Sequence, residues 1–202
     1  MTKKILIMGA SMPLPRPAIK VASTYPALLQ KTLPHIKVTN TAKYSQSIKR
    51  IYQTLPSQLS SYQPDIVIMH VGLADCWPRE KFNGKSRLDV ASFTDYYEKI
   101  IKLIQASDIP LIIVGISPTS KKMNRKHPNV LKQITLFNRV LKKDADQNKI
   151  FFIDMSTYIH SNAPNKYLLP DDQHFNKAGH ILMSKLIREL LNNHHFFSES
   201  GS

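Results

Sequence analysis

A chain of 202 residues, 42% of them hydrophobic, is long enough to bury one sizeable core and is the size of one domain rather than several. Its single cysteine, Cys76, excludes an intrachain disulfide and any multi-cysteine zinc site. With 28 Lys and Arg against 14 Asp and Glu the formal charge is +14, which favours anionic partners; no helix-turn-helix, RNA-binding aromatic motif or zinc finger accompanies that charge, so specific nucleic-acid binding is not expected.

The N-terminal Met1-Thr2-Lys3-Lys4 leads into an apolar run that ends at Gly9, too short for a signal-peptide core or a transmembrane segment. A cytoplasmic location is the expectation, and one cysteine suits a reducing compartment. Five short apolar runs then read as strands: Ile5 to Met8, Ile36 to Thr39, Asp65 to Val71, Leu111 to Ile116 and Ile150 to Met155. The unbroken Ile66-Val67-Ile68-Met69 implies burial on both faces, as in a parallel sheet covered by helices. Helical patterns separate the runs. Phe93, Tyr96, Tyr97, Ile100, Ile101 and Ile104 share one face, as do Val130, Ile134, Phe137 and Leu141. After the last strand, Asn176 is a candidate N-cap for a helix whose stripe is Leu182, Met183, Leu186, Ile187, Leu190 and Leu191.

This alternation predicts an α/β fold: a three-layer α/β/α sandwich around a five-stranded parallel sheet, in a single domain over 1–195, with 196–202 a disordered tail. The stretch from Leu73 to Val90 is expected to be non-helical, and Lys121, Lys122, Arg125 and Lys126 to lie on a basic loop. The first strand runs into Gly9-Ala10-Ser11-Met12-Pro13, without the glycines of a dinucleotide fingerprint or a Walker lysine, so no cofactor is expected.

In such sheets chemistry collects beyond the carboxyl ends of the strands. Two segments there combine into a mechanism. Ser11 follows the first strand on a tight turn, and Asp171-Asp172-Gln173-His174 precedes the last helix. A serine hydroxyl needs a base to take its proton, and an imidazole needs a carboxylate to fix its tautomer, which Asp-x-x-His supplies from one loop. Ser11, Asp171 and His174 are therefore the candidate catalytic residues, with Asp172 the neighbour expected to point to solvent or to cap nearby backbone amides. His70 reads as a core or cleft histidine and Cys76 as a buried structural cysteine. No metal is expected, and His194 and His195 pair with nothing that would make a metal site.

Gly9-Ala10-Ser11 and Asp171-x-x-His174, with the trailing Asn176-x-x-Gly179-His180, resemble the first and last motif blocks of the SGNH/GDSL hydrolase family. The order and spacing of strands and helices are similar along nearly the whole chain. That resemblance implies that Val38 to Ser45 is the second block, with Ser45 where the family has an oxyanion-hole glycine, and that Gly72-Leu73-Ala74-Asp75 is the third, with Ala74 where the family has an asparagine. It implies an oxyanion hole built on Ser11 and Ser45, and hydrolysis of an ester through an acyl-serine. Asp75 and Arg79 are candidate substrate-binding residues; Arg79 could instead pair with Asp75 and brace the loop. The cationic surface favours a small-molecule or glycan ester, anionic and often acetylated, as substrate. An O-acetyltransferase on the same scaffold and a non-catalytic glycan- or anion-binding protein are the alternatives.

Overall fold

The computed structural model describes residues 2–145 and 149–197. Strands β1 (Lys3–Gly9), β2 (Ile36–Asn40), β3 (Ile66–His70), β4 (Leu111–Val114) and β5 (Ile150–Ile153) form one sheet in the order β2-β1-β3-β4-β5. Every pairing is parallel. The intervening helices are α1 (Tyr25–Thr32), α2 (Ile48–Tyr62), α3 (Leu73–Cys76), α4 (Val90–Ala106), α5 (Lys121–Lys126), α6 (Val130–Lys142) and α7 (Lys177–Asn193).

Period-two alternation explains the layers. Leu6, Met8, Val67, Met69, Leu111 and Ile113 turn to one face, where they meet Ile48, Ile51, Phe93, Tyr97, Ile134 and Phe137 of α2, α4 and α6. Ile5, Ile7, Ile66, Ile68, Ile112 and Val114 turn to the other, against Leu29 of α1 and Met183 and Ile187 of α7. The central strand β3 is buried at all five positions, which is why its sequence reads as an unbroken apolar run. Each such Ile or Leu taken from water is worth roughly 1.5–3 kcal/mol. Between α4 and α6 the rings of Phe93 and Phe137 meet with centroids 4.5 Å apart, close to the preferred spacing of tilted aromatic pairs.

Three expectations change. Leu73 to Val90 contains α3 and a 3-10 turn at Glu80–Phe82. The segment at Lys121 is the helix α5, started by Ser120, whose Oγ accepts from the Met123 amide at 2.9 Å. Phe196 and Phe197, expected in the tail, pack partly buried against the core on the α7 side, with the Phe196 ring edge-on to Phe151 at 5.1 Å; residues 198–202 lie outside the described residues. Among the described residues no helix is long and apolar enough to cross a membrane.

The chain turns to opposite sides of β1 when it passes first to β2 and later to β3, and this leaves a crevice between the carboxyl ends of β1 and β3. Gly9 sits there because a Cβ at that position would come within 2.6 Å of the His70 carbonyl oxygen. Only glycine lets the two strand ends approach so closely.

Candidate active site

Three loops bring the candidate residues to that crevice. Beyond β1 the chain bends at Ser11, the Leu14 amide donating to the Ser11 carbonyl at 3.2 Å. Beyond β2 it continues along the end of β1, with amide-to-carbonyl bonds from Thr41 to Ile7 at 2.9 Å and from Lys43 to Gly9 at 3.1 Å. Asn40 Nδ2 donates to the Pro13 carbonyl at 3.1 Å, so the second loop is tied to the one that carries Ser11. This delivers Ser45, exposed and with φ at +55°, to the rim of the crevice. Ser45 thus takes the left-handed conformation that a glycine adopts freely. Arg87 holds it there, donating from Nη1 to the Ser45 carbonyl at 2.8 Å. Neither the Ser11 nor the Ser45 amide donates a backbone hydrogen bond among the described residues.

The loop before α7 brings the imidazole. Asn176 caps the helix, its Oδ1 accepting from the Gly179 amide at 3.0 Å, and its Nδ2 donates to the Asn165, Lys166 and Leu168 carbonyls. Gly179 is required here too, because a Cβ would come within 2.3 Å of the Tyr167 carbonyl oxygen. His174 Nε2 lies 2.9 Å from Ser11 Oγ and His174 Nδ1 lies 2.7 Å from Asp171 Oδ2. The other oxygen of Asp171 accepts the Gln173 and His174 amides at 2.9 and 3.0 Å. Burial pushes the Asp171 carboxyl up, but the His174 ring, the two amides and the imidazolium charge outweigh it and hold the carboxyl at about 2. Asp171 is then an anion throughout the neutral range, fixed on Nδ1, and leaves Nε2 as the acceptor for the serine proton.

Asp172 faces away from the ring, with φ at +54°, and meets a side-chain hydroxyl rather than the solvent or backbone amides expected of it. Its Oδ2 accepts from Ser120 Oγ at 2.7 Å and its carbonyl from Thr119 Oγ1 at 2.7 Å. The two aspartates therefore divide the work: one orients the imidazole and the other latches the loop to the start of α5.

The expected substrate contact at Asp75 is corrected. Its side chain is 0% exposed, with Oδ2 accepting from the Ile48 amide at 3.0 Å and Oδ1 meeting no partner. Its carbonyl takes the Arg87 and Leu88 amides, so Asp75 braces the loops from beneath. Arg79 lines a surface cavity of about 280 Å³ with Glu80, Lys126 and His127, and none of Ser11, Asp171 and His174 lines it. Arg79 acts on Asp75 through its charge without an ion pair among the described residues.

Ala74 is buried in α3. The Cys76 thiol is buried and pushed up by that burial. His70 is buried between Tyr25 and Phe175 and held down to about 3 by burial and by the nearby His180. His194 packs against the Phe151 ring at 4.5 Å, and among the described residues no three His, Cys, Asp or Glu side chains gather into a metal site.

One residue of the site escaped sequence reasoning. The guanidinium of Arg16, five positions after Ser11, contacts His174 Nε2 and lies over the Tyr44 ring at 5.2 Å. The run Pro15-Arg16-Pro17 was the available signal, a cation held between two prolines just past the nucleophile.

The GDSL-like Lipase/Acylhydrolase family model matches residues 19–182, a span that includes Asp171 and His174 and begins after Ser11. No curated protein matches the chain by sequence. Among solved structures, a lipase/acylhydrolase from Enterococcus faecalis superposes with a TM-score of 0.79 at 17% identity, over 95% of this chain and 96% of that one. A member of the lipolytic protein G-D-S-L family from Veillonella parvula gives 0.74 at 15% identity, over 94% and 98%. An acetyl xylan esterase, AlAXEase, gives 0.69 at 18% identity, over 93% and 99%. At these identities the likenesses speak to the fold alone.

Proposed function

We propose a serine mechanism for this chain, which belongs to the GDSL-like lipase/acylhydrolase family and is an esterase or acylhydrolase acting on ester bonds. Ser11 is the nucleophile, His174 the general base and then acid, and Asp171 the group that orients His174. The observation that carries this reading is the unbroken relay from Ser11 Oγ to Nε2 at 2.9 Å and from Nδ1 to Asp171 at 2.7 Å. Ser11 Oγ attacks the ester carbonyl while its proton passes to Nε2. The imidazolium, stabilised by Asp171, then protonates the leaving alcohol, and the acyl group stays on Ser11 until His174 activates a water to release it.

The negative oxygen of each tetrahedral intermediate goes to the backbone amides of Ser11 and Ser45. The left-handed Ser45 supports that role, since it preserves the backbone of a glycine. Ala74 stands where the family's third block carries asparagine, so the hole lacks that side-chain donor. Such a loss typically costs about 10²–10³ in kcat.

The acyl group in this reading is small, and acetyl fits. Ala10 and Met12, on either side of Ser11, line a cavity of about 10 Å³ with Leu73, Ile116 and Ser117, which supports a small acyl group and leaves room for about one water or a methyl. A carbohydrate or other anionic ester is the preferred alcohol part, supported by the +14 charge and by the fold shared with an acetyl xylan esterase. A cytoplasmic setting accompanies the proposal, supported by the single, buried Cys76. Ser11→Ala tests the mechanism. Hydrolysis of a short-chain aryl acetate and labelling by a fluorophosphonate should both vanish while the melting temperature stays within a few degrees, because a partly exposed turn serine leaves no core cavity behind. Unchanged turnover in the variant would sink the mechanism.

A further inference from the structure

His174 Nε2 has one lone pair when Nδ1 carries the proton that binds Asp171. Two donors converge on it, the Ser11 hydroxyl and the Arg16 guanidinium. A hydrogen bond from Arg16 to Nε2 contributes nothing to chemistry, because a guanidinium cannot take up the serine proton, and it weakens the bond that would. Arg16 also lacks a counter-charge. Among the described residues it has no carboxylate partner, and its buried Nε meets no acceptor. A half-buried cation with no carboxylate partner and a buried donor that meets no protein acceptor suits an anionic group.

The position says which part of a substrate would supply that anion. Nε2 gives its proton to the leaving oxygen, so a group in contact with Nε2 stands on the side of the departing alcohol rather than on the side of the carbonyl oxygen. Tyr44 lies beneath the guanidinium and donates its hydroxyl to the Pro15 carbonyl at 2.7 Å, so the cation has a surface along which to turn without leaving the site.

We propose that Arg16 determines specificity: in the free protein it shares Nε2 with Ser11, and an ester whose alcohol part carries a carboxylate or phosphate about 6 Å from the ester oxygen, roughly two hydrogen-bond lengths, draws it off and leaves Nε2 to Ser11 alone. The anion thus clears the base and aligns the leaving oxygen in one event. This rests on the acyl-serine reading and adds to it the chemistry of the substrate and the residue that selects it.

Three acetate esters of one shape test it: 3-acetoxybenzoate, 3-acetoxyphenyl phosphate and the neutral 3-acetoxybenzamide, each with wild type, Arg16→Met and Arg16→Lys. Wild type should prefer one or both anions at low salt, and the carboxylate and phosphate arms show which is recognised. In Arg16→Met that preference, as a ratio of kcat/KM, should fall at least tenfold, the scale of one charge-assisted hydrogen bond. Arg16→Lys should recover part of it, and added salt should erode it in wild type and Arg16→Lys but not in Arg16→Met. An anionic preference of the same size in Arg16→Met would overturn the proposal. So would an equal loss on all three esters, which would make Arg16 a support of the loop or an oxyanion donor. Labelling of Arg16→Met, in which no cation competes for Nε2, by a neutral fluorophosphonate separates the two readings: labelling with an unaltered preference removes the Arg16 proposal alone, and no labelling removes the serine mechanism and this proposal with it.

Discussion

Asp75→Asn should stabilise the protein at neutral pH and do so by an amount that depends on pH. Asp75 is fully buried with one oxygen unpartnered. Burial raises its carboxyl from 3.8 to about 7, against the opposing pull of the Ile48 amide and the Arg87 and Arg79 charges. The folded state therefore holds this proton more tightly than the unfolded chain. As pH rises from about 4 to about 7 the unfolded chain gives up the proton while the folded one keeps it, so stability falls by about 1.4 kcal/mol per pH unit and levels off above. Three units amount to about 4 kcal/mol, a large share of a typical 5–15 kcal/mol. Asparagine keeps a carbonyl for the Ile48 amide and does not titrate. His70 and His180, held down to about 3 and about 4 chiefly by burial, act in the opposite sense, weakening the fold as pH drops below their ordinary 6.5. Both are present in wild type and variant, so the difference between the two isolates Asp75. Urea unfolding at half-unit steps between about pH 4 and pH 8 should show the variant gaining on wild type by about 4 kcal/mol across the range. A difference that stays constant with pH would refute the reasoning, because it would mean that the carboxyl ionises as easily inside as outside.

The division of labour in the His174 loop predicts that Asp171→Asn cuts kcat by up to ~10⁴, the scale at which a serine-protease triad suffers when its imidazole takes the wrong tautomer. Asp172→Asn, which keeps an acceptor for Ser120 Oγ, should stay within about tenfold of wild type, the cost of at most one weakened hydrogen bond; steady-state kinetics on an aryl acetate distinguish them, and a crippled Asp172→Asn beside a sound Asp171→Asn would reverse the assignment. Wild type should be slow on generic neutral esters, and Ala74→Asn should raise kcat by at most ~10²-fold, since a transplanted donor lacks its supporting contacts. A wild-type rate already equal to that of efficient esterases would show that another group completes the hole.

The strands, the layers and the pairing of Asp171 with His174 were legible because each rests on a local pattern: unbroken apolar runs for buried parallel strands, a 3.6 period for α4, α6 and α7, and Asp-x-x-His on one loop. What escaped depends on contacts remote in sequence. Helix α5 has six residues and no apolar stripe, so only the Ser120 cap announces it. Asp75 looked like a residue at the crevice mouth because it follows β3, yet its short helix turns the side chain inward to the Ile48 amide, 27 positions away. Arg16 meets His174 across 158 positions, a pairing that no periodicity encodes. The loop after β3 pointed towards Arg79, whereas the cation in contact with His174 Nε2 is Arg16.

Ser11 and the ring that would activate it are 163 positions apart, joined only when the last loop folds back onto the first. During synthesis the serine leaves the ribosome with β1, while its base follows 163 positions later and is set in place by the cap of α7. A nascent or truncated chain therefore carries an ordinary, unreactive serine. Reactivity towards a fluorophosphonate would report that translation has passed His174 and that its loop has met the one carrying Ser11.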